Sequence, residues 1–228
     1  MPRRALLVFA EAIHVDLARR AFPRAAAPFF HLGDLGHDVS SAVDVHFFTS
    51  GNVTAAPGLS THCQVGGSFA ARFENAIETI AQLGYDEVVA IGRDCPALRA
   101  VDIERSFDEL DSSKLVLGPD HRGGCYLIAF RSVNRALLRG IRWKQNTDCA
   151  QLRRRAGETR VFLLPVKHDL DSWNDLRVFA RAEGILARLA IFLLGITTTA
   201  GDRAREFASV SARHIRVRQQ IPPPAFAA

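Results

Sequence analysis

The chain has 228 residues, of which 48% are hydrophobic, so it can bury one sizeable core, and its formal net charge is +5. Four scattered cysteines without a Cys-x-x-Cys pair argue against a disulfide framework and structural zinc, and they fit a reducing, cytoplasmic compartment. No apolar run reaches the ~20 residues of a membrane span. The arginines lack the interleaved aromatic residues of a nucleic-acid module, so we expect neither a membrane span nor a nucleic-acid partner.

The N-terminal part of the chain combines short apolar runs with a helical stretch. The run ALLVFA (Ala5 to Ala10) is typical of a buried strand, and a helix is predicted from about Val15 into the alanine-rich region before Pro28. The β-favouring run VDVHFFTS (Val43 to Ser50) predicts a second strand, and Ser60 to Gln64 predicts a third.

The clearest helix is predicted from about Ser68 to Leu83. Ser68 can cap its start and Gly84 can end it. One face of this helix carries the apolar side chains of Phe69, Phe73, Ala76, Ile77 and Ile80. A buried-strand pattern, DEVVAIG (Asp86 to Gly92), follows the helix directly.

The second half of the chain repeats this alternation. After Pro96, a helix is predicted that aligns Ile103, Phe107 and Leu110, and strands are predicted at Lys114 to Pro119, Gly124 to Phe130 and Val161 to Pro165. Strands that alternate with helices predict an α/β fold with a mainly parallel central sheet covered on both faces. Ligands of such sheets bind beyond the carboxyl ends of the strands. We expect one such domain over residues 1–187, followed by a C-terminal helix and flexible tail over residues 188–228.

The segment GRDCP (Gly92 to Pro96) stands at the predicted carboxyl end of a strand. A carboxylate at that position is well placed to hold Mg²⁺ or Mn²⁺ on a diphosphate, and Gly92 lets the backbone approach a ligand closely. Taken alone, however, a residue such as Asp94 is more often part of a turn or a helix cap.

The segment GPDHRGGCYLIAF (Gly118 to Phe130) places Gly123 and Gly124 between two predicted strands. Glycines at such a point permit close approach of the backbone to a ligand, although an ordinary hairpin would use them as well.

The segment HDLDSWNDL (His168 to Leu176) places two carboxylates, Asp169 and Asp171, just before a predicted helix. Asp171 or Ser172 can serve simply as the cap of that helix, which is the simpler interpretation of this segment by itself.

In their order and spacing, these segments resemble the bacterial glycosyltransferase-A-like family of unknown function (DUF2064 type), which is related to nucleotide-diphospho-sugar transferases. The family pattern runs G-x-D-C-P, then G-P-x-x-D-G-G-Y-Y-L-I-G, then a tryptophan, then D-x-D-x-x-x-D-L. Trp143 matches the tryptophan, and QVGGSFAARF (Gln64 to Phe73) matches an upstream glutamine-glycine segment that opens a helix. The resemblance covers roughly residues 60 to 180 in consistent order.

This resemblance implies a single Rossmann-like domain of the nucleotide-diphospho-sugar transferase (GT-A) type. It also implies an enzyme that binds a nucleotide sugar with Mg²⁺ or Mn²⁺ and transfers the sugar to a small acceptor. Asp94 and Asp171 would be catalytic, and Asp94 and Asp169 would face the metal. The implied substrate-binding residues are Gln64, Gly92, Arg93, Pro96, Arg122, Gly123 and Gly124.

Two departures from the family pattern stand near the expected pocket. The family usually follows its first strand with a basic loop, G-x-V-K-T-R-L, whereas Ala10 to Phe22 lacks both the glycine and the lysine. The acidic residue of D-G-G is replaced by Arg122. We hypothesise that Arg122 takes over part of the neutralisation of the diphosphate, because a guanidinium matches phosphate oxygens and stays charged. The alternative is a surface ion pair with Asp120.

The residues leave two other functions open. A nucleotidyltransferase on the same fold would use a nucleoside triphosphate and release pyrophosphate. A nucleotide-binding protein that has lost turnover would explain the altered N-terminal loop and Arg122, whereas the intact Gly92 to Pro96 and Gly123–Gly124 segments favour an enzyme.

Overall fold

A seven-stranded sheet lies at the centre of the computed structural model, which describes residues 1–30, 39, 41–51, 59–181 and 186–195. The strands are β1 (Arg4–Phe9), β2 (Val43–Thr49), β3 (Leu59–Cys63), β4 (Glu87–Ile91), β5 (Leu115–Pro119), β6 (Cys125–Arg131) and β7 (Val161–Leu163). Their order across the sheet is β3-β2-β1-β4-β6-β5-β7. Within the described residues, β6 alone runs antiparallel to its neighbours, so the predicted mainly parallel α/β fold is confirmed.

Helices cover both faces of this sheet. They are α1 (Ile13–Arg19), α2 (Phe69–Gln82), α3 (Ala100–Glu109) and α4 (Asp148–Ala156), with 3₁₀ turns at Arg24–Phe30, Ser132–Leu138 and Glu158–Arg160. Because successive residues of a strand face opposite sides, β1 contributes to two separate cores. Leu7 packs in the cluster with residues of α2 and α4, and Leu6 and Val8 pack in the cluster with residues of α3.

The helix predicted between Ser68 and Gly84 is confirmed at both ends. The hydroxyl of Ser68 accepts a hydrogen bond from the Ala71 N–H at 3.2 Å, and Gly84 follows the helix with a φ of +81°. The five residues that were predicted to share one face are Phe69, Phe73, Ala76, Ile77 and Ile80, and they all pack in or against one core cluster.

The first helix is shorter than predicted. α1 ends at Arg19, Ala21 has a φ of +55°, and the alanine-rich stretch forms a 3₁₀ turn that contains Pro28. Pro23 explains the difference, because a proline has no N–H for the helical ladder and disfavours the helical conformation of the residue before it.

The chain divides into two compact units, Met1–Asp175 and Leu176–Ala228. The first contains the sheet and α1 to α4. In the second, α5 (Leu176–Phe179) and residues 186–195 are helical. The domain boundary expected at residue 187 stays a prediction, and most of the expected tail lies outside the described residues. No helix among the described residues is both long enough and apolar enough to cross a membrane.

Gly118 is expected to be essential for the packing of β5 against β6. A Cβ atom at this position would lie 2.5 Å from Cε2 of Tyr126, whose ring is buried and whose hydroxyl donates to the Pro165 carbonyl at 3.0 Å. Because the ring is buried and its hydroxyl is hydrogen-bonded, it cannot easily move aside. We therefore expect Gly118→Ala to destabilise the protein by about 1–3 kcal/mol. Urea unfolding measures this, with Gly67→Ala as the control, since no described atom lies within 4 Å of a Cβ there. Equal unfolding midpoints for the two variants would contradict the prediction.

Candidate functional site

A cavity of about 490 Å³ lies at the edge of the sheet where the parallel strands end. It is lined by residues that follow β1, β3 and β4 and by the loop that joins β5 to β6. Both signs of charge are abundant in the lining. The basic residues are Arg19, Arg20, Arg72, Arg93 and Lys144, and the acidic ones are Glu11, Asp16, Asp94, Asp120, Asp148, Asp169 and Asp171.

Asp94 lies where the sequence predicted it, just beyond the carboxyl end of β4, a central strand. Its carboxylate accepts a hydrogen bond from Arg20 Nη2 at 2.7 Å, and its backbone carbonyl accepts one from the N–H of Leu170, also at 2.7 Å. The second bond brings the loop that carries Asp169 and Asp171 next to β4. Two segments that are 75 residues apart in the sequence therefore meet in one cavity.

Asp169 is a buried carboxylate whose Oδ1 has no hydrogen-bond partner. Burial raises the pKa of Asp169 to about 8, and the charges of Asp94, Asp120 and Asp171 act in the same direction. Four carboxylates thus lie close enough to interact, and burial among them favours the protonated form of Asp169.

Asp171 is more exposed and is paired with two arginines. Arg20 Nη2 lies 3.3 Å from its Oδ1, and Arg122 Nη1 lies 2.5 Å from its Oδ2. The carboxylate of Asp175 accepts hydrogen bonds from the backbone N–H groups of Asp171 and Ser172 and from the Ser172 hydroxyl, so it holds the turn that precedes α5. The helix-cap role considered for Asp171 or Ser172 stays a prediction.

The side chain of Arg122 does not pair with Asp120, the partner that its position in the sequence suggested. Its guanidinium contacts Asp171 and Asp175, and its backbone N–H, not its side chain, donates to Asp120 at 2.6 Å. Arg122 is not among the residues that line the cavity. Its hypothesised role as a phosphate ligand stays a prediction, and the ion pair with Asp120 is replaced by pairs with residues from a distant loop.

Gly123 and Gly124 shape the loop around Asp120. The Gly124 N–H donates to Asp120 at 2.9 Å, and a Cβ on Gly124 would come within 2.6 Å of the Asp120 carboxylate. Gly123 has a φ of +100°, and a side chain there would overlap the carbonyl of Asn146. These glycines permit a close approach between parts of the protein itself, which holds the Asp120 carboxylate at the cavity.

Two further predicted residues hold the cavity walls. Gln64 donates to the carbonyls of Ala10 and Phe48, which joins the ends of β1 and β2, while its Oε1 is buried without a partner. The guanidinium of Arg93 lies 5.0 Å from the Phe47 ring, and burial lowers the pKa of Arg93. Of the predicted substrate-binding residues, Gln64, Gly92, Arg93 and Gly124 line the cavity, whereas Pro96, Arg122 and Gly123 do not.

The sequence reasoning missed the basic residues that reach the cavity from elsewhere. Arg19 and Arg20 come from the end of α1, within the stretch that lacks the family's lysine. Arg72 belongs to α2. Lys144 has a φ of +61°, and its ammonium lies 4.3 Å from the Phe69 ring. The sequence signal that could have revealed them is the adjacent pair Arg19-Arg20 after the first strand, because this pair occupies nearly the position of the family's basic loop.

The carboxylates of the cavity have the donor chemistry of a site for Mg²⁺ or Mn²⁺, since both prefer oxygen ligands. The buried, unpartnered Oδ1 of Asp169 is one such oxygen. In the described part of the chain, however, no three His, Cys, Asp or Glu side chains are arranged to hold a metal ion. The Arg20 guanidinium lies between Asp94 and Asp171 instead.

Several solved structures have the same fold. A candidate nucleotide-diphospho-sugar transferase from Desulfovibrio desulfuricans G20 superposes with a TM-score of 0.66 at 23% identity, covering 87% of this chain and 96% of that one. For a cytidylyltransferase from Leptospira borgpetersenii, the TM-score is 0.53 at 14% identity, with 89% and 96% covered. For Rv0371c from Mycobacterium tuberculosis in complex with manganese, it is 0.51 at 15% identity, with 77% and 97% covered. No curated protein matches the chain.

The sheet, its two helical layers and the cavity at the carboxyl edge define an α/β protein with the nucleotide-diphospho-sugar transferase fold. The model of the DUF2064 family, described as uncharacterized protein conserved in bacteria, matches residues 30–145, which is just over half of the chain. The chain belongs to this family.

Proposed function

We propose that this protein is a transferase that binds a nucleotide diphosphate sugar in the cavity at the carboxyl edge and transfers the sugar to a small acceptor. The observation that carries the proposal is the pairing of several basic residues with a group of aspartates in one cavity, at the edge where such sheets bind ligands. The fold of the similar structures and the family membership support it.

The basic residues suit a diphosphate. Arg20, Arg72 and Arg93 line the cavity, and the forked donors of a guanidinium match the oxygens of a phosphate. Lys144 is buried enough to lower its pKa, and the nearby charges of Arg19 and Arg20 act in the same direction. Fixed positive charge of this kind stabilises the negative charge that develops on the leaving diphosphate in the transition state.

Asp94 and Asp169 are the proposed protein ligands of Mg²⁺ or Mn²⁺. A bound divalent cation would neutralise the diphosphate and orient it. Asp171 is the most exposed of these aspartates, and its proposed role is to accept the proton of the acceptor hydroxyl. Gly92 and Gly124 leave the space in which the carboxylates of Asp94 and Asp120 lie, because a Cβ at either position would come within 2.7 Å of one of them.

Transfer of a nucleotidyl group is the second candidate function. The fold similarity to a cytidylyltransferase favours it, and the same cavity would then take a nucleoside triphosphate. Incubation of the protein with a panel of nucleotide sugars and nucleoside triphosphates distinguishes the two. Free nucleoside diphosphate would support sugar transfer and pyrophosphate would support nucleotidyl transfer. Tight binding without either product would indicate a nucleotide-binding protein without turnover.

The Asp94→Asn variant is expected to bind nucleotides at least tenfold more weakly in the presence of Mn²⁺, because the substitution removes a charge and keeps the shape. Its folding should be unaffected, since the side chain is 30% exposed at the cavity. Calorimetric titration measures the affinity, and Asp108→Asn, at an exposed position on α3, is the control. Equal affinities for wild type and Asp94→Asn would show that Asp94 has only a structural role.

A further inference from the structure

We propose that Cys125 and Cys149 form an oxidation site, in which hydrogen peroxide joins the two sulfur atoms in a reversible disulfide. All four cysteines of the chain lie in its described part, and each is a free thiol. Cys125 lines the cavity, and Cys149 directly follows Asp148, which lines it as well. The proposal concerns the protein without a ligand, and it holds whichever group the cavity transfers.

The fold brings these two cysteines together from separate elements. Cys125 is the first residue of β6, and Cys149 is the second residue of α4. The N–H of Cys149 donates to the Gly123 carbonyl at 3.3 Å, which holds the start of α4 against the loop that leads into β6. Cys149 packs in one core cluster, Cys125 packs against it, and the two thiols share a hydrogen bond. Contact between the thiols in the folded protein is the first condition for a disulfide.

The two thiols differ in acidity, which decides which of them reacts first. Cys125 donates the hydrogen bond and Cys149 accepts it, so the interaction raises the pKa of Cys125 and lowers the pKa of Cys149. The charge of Arg153 also lowers the pKa of Cys149, and the first turn of a helix favours an anion. Burial and the carboxylates of Asp120 and Asp148 act in the opposite direction. The net effect favours a Cys149 thiolate beside a protonated Cys125.

Hydrogen peroxide is the oxidant of this reaction. The Cys149 thiolate attacks one peroxide oxygen, the O–O bond breaks, and the hydroxide that leaves takes up the proton that Cys149 had released. The Cys125 sulfur then displaces the hydroxyl group from the sulfenic acid on Cys149, and the S–S bond forms. The Cys125 proton leaves with that hydroxyl as water. Two thiols and one peroxide thus give one disulfide and two waters, so the sulfurs are oxidised and the peroxide oxygens are reduced.

The oxidant reaches the pair from the cavity. Cys125 is partly exposed at the cavity wall, and Cys149 is 8% exposed. Hydrogen peroxide is little larger than water, so a cavity of about 490 Å³ admits it. The other cysteines provide a contrast, because Cys63 is exposed at the end of β3 and burial raises the pKa of Cys95. Oxidation that followed exposure alone would therefore begin at Cys63.

The experiment is peptide mapping of the folded, ligand-free protein after treatment with hydrogen peroxide. Cleavage by trypsin without a reductant should release residues 123–131 joined to residues 145–153, and dithiothreitol should separate the two peptides. The mass of the joined product should be two hydrogen atoms below the sum of its parts. Peptides crosslinked through Cys63 should be at least fivefold less abundant.

Single substitutions test the assignment. Cys149→Ser should abolish the linked peptide, whereas Cys63→Ser should leave its yield unchanged within twofold. If Cys149→Ser does not fold, Cys125→Ser replaces it, and the map of the wild-type protein decides in either case. Absence of the linked peptide from the folded protein, or its formation only after unfolding in urea, would overturn the proposal. Sulfinic acid on Cys125 or Cys149 in place of the link would overturn it as well.

Discussion

The Asp169→Asn variant is expected to gain about 4 kcal/mol of stability relative to the wild-type protein when the pH is raised from 5 to 8. Asp169 is buried, and the neighbouring carboxylates oppose its ionisation, so its pKa in the folded protein is about 8. In the unfolded chain, an aspartate has a pKa of about 3.9. The folded state therefore holds a proton that the unfolded state has already released.

The sign of the effect follows from this difference. Between the two pKa values, the unfolded chain binds fewer protons than the folded protein, so stability falls as the pH rises, by about 1.4 kcal/mol per pH unit. The loss ends above the folded pKa, where both states are ionised. An asparagine has the same shape and no titration, so the variant avoids this loss.

Chemical unfolding of both proteins at pH 5, 6, 7 and 8 measures the difference. Asp108→Asn, on the exposed side of α3, should follow the wild-type curve throughout. A constant difference between Asp169→Asn and wild type across this range would show that Asp169 is already ionised at pH 5, and would contradict the buried, protonated state.

The second large effect is expected for Arg122→Ala, which should destabilise the protein by about 2–4 kcal/mol. Arg122 contacts Asp171 at 2.5 Å and Asp175 at 2.6 Å. Burial by itself would raise the pKa of Asp175, but hydrogen bonds from Arg122 and Ser172 outweigh it and hold that pKa below its ordinary value. Removal of the guanidinium leaves a buried carboxylate without its main counter-charge, which costs more than an exposed ion pair contributes.

A double-mutant cycle with Asp175→Asn isolates this interaction. The loss caused by Arg122→Ala should shrink by at least half in the Asp175→Asn background. Arg105→Ala removes an exposed arginine from the i,i+4 pair with Glu109 and should cost under about 1 kcal/mol. If Arg122→Ala leaves stability unchanged but weakens nucleotide binding, Arg122 is a phosphate ligand as the sequence suggested.

Local sequence was sufficient for the strands, most helices and the position of Asp94. Apolar side chains repeat with the period of each element, so β1, β4 and the helix beginning after Ser68 can be recognised without knowledge of their neighbours. The strand end at Gly92 follows from the same local signals, because a glycine and a proline flank Asp94. The early end of α1 could also have been predicted from the local sequence, because Pro23 follows it closely.

The partners of the charged residues were decided by the tertiary structure. Arg122 pairs with carboxylates 49 and 53 residues away, and Arg20 pairs with Asp94, which is 74 residues away. Ion pairs between distant elements have no periodicity along the chain, and the nearest acid in sequence to Arg122, Asp120, binds backbone N–H groups instead. The sequence by itself determined an α/β protein of this family with carboxylates at the strand ends. The tertiary structure decided which cations face those carboxylates. The sheet brings α1 and the loop of Asp171 to the same edge, and the packing of these distant elements sets the distances between their charged groups.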